Sequence, residues 1–130
     1  MNIGKIYAIL GANGSGKTTL LNILSGLLQP ENGTVLLNER KVEGPQERLV
    51  PGHPEISLVK QDNSLFPLHT VRANLQYVLQ SHPNKTQNDK ILMLSKLLGL
   101  DANLDKQLKN LSGGEQQRVA IAAALAKSPK

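Results

Sequence analysis

At 130 residues the chain has the length of one domain, and the absence of cysteine excludes disulfides and thiolate metal sites and fits a reducing, cytoplasmic setting. Its formal charge of +5 permits contact with nucleic acid, but the basic residues are scattered and Tyr7, Phe66 and Tyr77 are too few to make a base-stacking platform, so no nucleic-acid partner is expected. The N-terminus lacks signal-peptide features, and no apolar run, not even Val119 to Ala126, approaches the ~18 residues of a membrane span, so a soluble chain or one held at a membrane by a partner is expected.

Along the chain, Ile6 to Leu10 is a short apolar run closed by glycine, as in a buried strand of a parallel sheet. A glycine-rich loop follows, and from Lys17 the residues Leu20, Leu21, Ile23, Leu24, Leu27 and Leu28 recur at helical spacing until Pro30 and Asn32-Gly33. Thr34 to Leu37 reads as a second strand, Arg40 to Pro54 as a surface loop, and Ile56 to Val59 as a third strand. After Pro67 the pattern turns helical, over Val71 to Leu79, Asp89 to Leu98 with Gly99 as its stop, and Gly114 to Ala126. No linker or internal repeat separates these halves, which predicts two subdomains of one domain.

The loop GANGSGKT, comprising Gly11, Ala12, Asn13, Gly14, Ser15, Gly16, Lys17 and Thr18, fits the phosphate-binding pattern G-x-x-x-x-G-K-[ST]. A polyphosphate must be approached closely, and glycines permit this while the helix N-terminus adds partial positive charge. Lys17 can bridge the outer phosphates, the Thr18 hydroxyl can ligate Mg²⁺, and Thr19 can reach an inner phosphate. The strand before and helix after supply the context the motif requires, yet small-molecule kinases, GTPases and motor ATPases all use it.

A second motif, LSGGEQQR from Leu111 to Arg118, places Ser112, Gly113 and Gly114 ahead of a helix. Ser112 and Glu115 have the spacing of an S-x-x-E capping box, and a capped helix after a glycine turn requires no ligand. His53, His69 and His82 show no metal-ligand spacing and read as surface residues. For Arg118 the simplest expectation is a salt bridge on the helix surface.

Together and in this order, GANGSGKT and LSGGEQQR resemble the ATP-binding cassette (ABC) ATPases, most of which drive membrane transporters. The segment LVKQDNSLFPLHTVRANL is similar to that family's Q-loop region. The resemblance implies an α/β fold: a partial P-loop NTPase (RecA-like) parallel-sheet core with an inserted α-helical subdomain, the core with its Q-loop over 1–67 and the helices over 68–130. It implies ATP and Mg²⁺ as cofactors, with Gln61 at the metal and attacking water. Ser112, Gly113, Gly114 and Glu115 would bind the γ-phosphate of ATP held by an opposite subunit. Leu65, Phe66 and Leu68 would meet a transporter's membrane subunit, although Phe66 suits a core position equally.

Two residues depart from the family pattern: Glu115 replaces the commonest glutamine, and Ala123 stands where arginine is frequent. The catalytic carboxylates are expected beyond Lys130, and the N-terminal β subdomain with its adenine-stacking aromatic ahead of Gly4; Tyr7 is too close to Gly11 to replace it. The implied function is therefore the ATP-binding subunit of a transporter, paired with a second nucleotide-binding domain and peripheral on the cytoplasmic membrane face. By themselves these residues are expected to hold nucleotide weakly and to hydrolyse it negligibly. A soluble ABC ATPase of translation or DNA repair and an inert truncated product are the other readings.

Overall fold

The computed structural model of the chain describes residues 4–60, 65–81 and 83–127 and divides it into two compact units, Met1–His53 and Pro54–Lys130. In the first, helix α1 spans Lys17–Leu24, and strands β1 (Leu36–Leu37) and β2 (Arg40–Lys41) form an antiparallel hairpin. In the second, helices α2 (Val71–Val78), α3 (Asn84–Leu98) and α4 (Gly113–Ala126) are joined through 3₁₀ turns at Asp101–Asn103 and Leu108–Asn110.

The expected helix through Leu28 instead stops at Leu24, because Gly26 takes a left-handed φ of 73°. The Gly26 N–H donates to Ile23 O and the Leu27 N–H to Asn22 O, the paired bonds of a Schellman stop. Side-chain periodicity does not register this glycine, whereas the backbone bonds end the helix before Leu27 and Leu28 can join it.

Of the expected strands only the Thr34 to Leu37 segment pairs, and only over Leu36–Leu37. Asn38 and Glu39, at φ 49° and 65°, form the two-residue reversal that a tight hairpin needs. The return strand uses Arg40 and Lys41, so the segment expected to be all surface loop begins as β structure, and it buries Val42 at 5% exposure. Ile6 to Leu10 and Ile56 to Val59 join no ladder among the described residues. Ile6 is fully exposed and Leu10 91% exposed. An apolar run shows a capacity for burial, but a sheet strand also needs a neighbouring strand in register, and the apolar pattern does not specify one. The parallel-sheet core is therefore not observed among the described residues.

The helical unit follows its sequence pattern closely. Val71, Leu75, Ile91, Leu100, Val119 and Ala122 are fully buried in one core formed by the three helices and the 3₁₀ turns. Full burial of a leucine-sized side chain contributes about 1.5–3 kcal/mol. Ala123 lies in the same core at 7% exposure, a place where a small side chain fits. The Thr70 hydroxyl caps α2 by accepting from the Ala73 N–H, and α3 ends at Gly99 with φ 63° as its stop residue predicts. Helix α3 begins at Asn84 rather than Asp89, since its first turns are polar and carry no apolar period.

Candidate functional site

The first candidate element is the loop that delivers the chain into α1. Gly14 and Gly16 have φ of 81° and 87°, conformations that L side chains rarely adopt, while a Cβ on Gly11 would meet Ser15 Oγ at 2.7 Å. The Ser15 N–H closes a turn on Ala12 O at 3.2 Å. Gly16 then serves as N-cap of α1 without a side chain to satisfy the first-turn N–H groups, and no acidic residue occupies that turn. The N–H groups of Lys17, Thr18 and Thr19 are thus the donors that a helix leaves without intrahelical acceptors. Lys17 Nζ folds over the same loop, donating to Gly11 O at 2.9 Å and Ala12 O at 2.6 Å, with Ser15 Oγ at 3.3 Å. Asn13, Thr18 and Thr19 are exposed at its edge. Partial positive charge from the helix and the full charge of Lys17 therefore converge on one exposed backbone surface, which suits a polyanion.

The second element is the head of α4. Ser112 is its N-cap, and the capping box expected from S-x-x-E is complete: Glu115 N–H donates to Ser112 Oγ, and Ser112 N–H donates to Glu115 Oε2 at 2.8 Å. The other carboxylate oxygen, Oε1, accepts from Asn103 Nδ2 at 2.8 Å. The hydrogen bonds from the Ser112 backbone and hydroxyl, then that from Asn103, hold the Glu115 pKa down to about 2, so it is a carboxylate throughout the physiological range. Gly113 and Gly114 are exposed, and a Cβ on either would meet nothing within 4 Å. Neither sits at positive φ, so the local backbone does not explain why both are glycine.

Between the motifs, Gln61 lies outside the described residues, as does His82. The segment after it is held by the buried Asn74, whose Oδ1 accepts from the Phe66 N–H at 2.7 Å and whose Nδ2 donates to Phe66 O at 3.1 Å and Thr70 O at 2.9 Å. Leu65 packs against the helical core, Phe66 stands edge-on to Tyr77 with ring centroids 5.0 Å apart, and Leu68 is 65% exposed. Arg118 is exposed and acts on Glu115 through space, without an ion pair among the described residues. His69 is exposed, His53 half-buried, and no group of potential metal ligands occurs among the described residues. Asn103 is the residue that sequence reasoning missed: nothing in its neighbourhood marks one polar side chain between Leu100 and Leu104 as the partner of Glu115.

The family model described as ABC transporter matches residues 1–130. The chain belongs to the ABC transporter family. It is 41% identical over 127 residues to the molybdenum import ATP-binding protein ModC of Escherichia coli K12, and 42% identical to that of Salmonella typhi. These matches cover 96% of the chain but 35% of each relative, so the chain spans about a third of the length of the curated relatives it matches. Among solved structures it is similar to cbiO1 of Clostridium perfringens, described as part of the ABC transporter complex cbiONQ, with a TM-score of 0.76 and 28% identity over 93% of this chain and 49% of that one. That likeness is consistent with an α/β fold of the P-loop kind, although the described ladder is a single hairpin. No helix among the described residues is long and apolar enough to cross a membrane.

Proposed function

We propose that this chain is the nucleotide-holding portion of an ABC transporter's ATP-binding subunit, in which Mg-ATP binding and hydrolysis power movement of a solute across a membrane. The observation that carries this reading is the convergence of Lys17, two left-handed glycines and the uncapped first turn of α1 on one exposed surface. In this reading Gly11, Ala12, Asn13, Gly14, Ser15 and Gly16 wrap the phosphates with backbone N–H groups, Lys17 bridges the outer ones, and Thr19 meets an inner one. Thr18 supplies one hydroxyl oxygen to Mg²⁺, which suits an ion that keeps most of its ligands as water and phosphate, and Gln61 is the second proposed ligand. A Mg²⁺ held by these residues would supply charge stabilisation to the phosphates. The proposed functional division is a P-loop core with its Q-loop over 1–67 and a helical subdomain over 68–130.

Ser112, Gly113, Gly114 and Glu115 are proposed to form the turn that meets the γ-phosphate of ATP held by a second nucleotide-binding domain, Glu115 by holding the Ser112 cap and not by presenting its carboxylate to the phosphate. A helix N-terminus whose first two residues lack side chains is open to close approach by an anion, which supports that role. A membrane subunit is the second proposed partner, placing the protein on the cytoplasmic membrane face, and relatives named for molybdenum import favour uptake of a small solute. The translation and repair readings have no comparable support. Titration with a fluorescent ATP analogue in Mg²⁺ tests the proposal: Lys17→Ala should weaken binding by about 10- to 100-fold, the worth of a charge-assisted contact. Equal affinity in the two proteins would refute it.

A further inference from the structure

Asn103 is 6% exposed and sits at the end of the 3₁₀ turn that follows α3. Its partner, the Glu115 carboxylate, can only accept hydrogen bonds, so the amide must present Nδ2, and the observed 2.8 Å contact has one consistent orientation. The other carboxylate oxygen takes both the Ser112 N–H and the Ser112 Oγ at 2.8 Å. Ser112 is therefore tied to Asn103 through one rigid carboxylate. The turn carrying Asn103 also meets α3, where the one proton of the fully buried Ser95 hydroxyl is shared between Leu92 O at 2.9 Å and Asp101 Oδ1 at 3.0 Å. The turn Asp101–Asn103 thus carries both contacts, one from α3 at Asp101 and one to Glu115 at Asn103, and joins them through its backbone.

We propose that Asn103 is a positioning residue for the phosphate-facing turn Ser112 to Gly114, acting through Glu115. The inference rests on the reading above that this turn meets a phosphate in trans. A carboxylate beside an anion site is a liability, because like charges repel. Asn103 draws Oε1 toward the core turn while Ser112 holds Oε2, so the negative charge is fixed in place and stabilised by three hydrogen bonds. The Gly113 and Gly114 N–H groups are left to face the ligand. With the amide gone, the carboxylate gains freedom to approach the phosphate, and the serine loses its fixed geometry.

Charge logic supplies a specific test. In Asn103→Asp two carboxylates face one another and the clamp opens; in the double variant Asn103→Asp with Glu115→Gln, the glutamine Nε2 donates to the aspartate while its Oε1 still accepts from Ser112. Association of the protein is measured by analytical ultracentrifugation with a non-hydrolysable ATP analogue and Mg²⁺, alongside analogue affinity at the Lys17 loop. Asn103→Asp should weaken nucleotide-dependent association at least 10-fold, leave loop affinity within twofold, and be rescued to within threefold by the added Glu115→Gln. Association that survives Asn103→Asp, or a double variant no better than the single, would overturn the role of Asn103. Absence of nucleotide-dependent association in the unsubstituted protein would instead overturn the trans-phosphate reading on which it rests.

Discussion

Helix α1 buries none of its residues, whereas α4 buries Val119, Ala122, Ala123 and Ala126. Both helices begin at a candidate phosphate site, yet the two starts are built differently. The first takes its shape from the backbone, through Gly14 and Gly16 at positive φ and the tight Gly11–Ser15 approach. The second takes its shape from side chains, through Ser112, Glu115 and Asn103 anchored on a packed core. One kind of site tolerates an open surrounding because its geometry is local, while the other depends on packing made by residues far along the chain.

The largest effect should come from breaking the packed side of that comparison. Leu75→Ala removes a fully buried side chain and should destabilise the helical unit by about 2–5 kcal/mol in urea unfolding. Leu20→Ala in α1, where the side chain is 43% exposed, should cost less than about 1 kcal/mol. Comparable losses at the two positions would remove the distinction.

Glycine substitutions sharpen the comparison at intermediate size. Gly16→Ala forces a side chain into a φ of 87°, and should cost about 1–2 kcal/mol and weaken nucleotide binding with it. Gly113→Ala meets nothing within 4 Å and no positive φ, so stability should stay level or rise by up to about 1 kcal/mol while nucleotide-dependent association falls. A stability loss at Gly113 equal to that at Gly16 would mean that both glycines serve local folding alone.

The smallest effect is electrostatic. The Glu115 pKa falls from 4.5 to about 2, so its folded form favours the carboxylate more than the unfolded chain does. Its stabilising contribution is present above pH 4.5 and is lost as pH falls through about 2. Asp105 and Glu47 are lowered as well, by Arg72 and Lys41, so the Glu115 part is isolated by difference. The urea midpoint of Glu115→Gln should change less than that of the unsubstituted protein across this acid range, and parallel curves would contradict the assignment.

What the sequence disclosed follows the same division between local and distant causes. The glycine loop, the box between Ser112 and Glu115, and the Gly99 stop depend on residues a few positions apart, and each was legible from spacing. The helical core was legible because Val71, Leu75, Val119 and Ala122 repeat with the period of a helix face. Ile6 to Leu10 carried an apolar signal with no information on which strands would pair with it. Asn103 was invisible for the same reason: its value lies entirely in meeting Glu115, a partner set by tertiary folding. Gly26 is an instructive exception, a local stop outweighed in the reading by the leucines that flank it.

The central claim is that the loop from Gly11 into α1 holds the phosphates of Mg-ATP through its backbone. Titrating isotope-labelled protein with Mg-ATP and following backbone amide resonances tests it most directly. The largest shifts should fall on Gly14, Gly16, Lys17, Thr18 and Thr19, and Lys17→Ala should shrink them at a nucleotide concentration near the half-saturation point of the unsubstituted protein. Shifts concentrated elsewhere, or unchanged by Lys17→Ala, would contradict it.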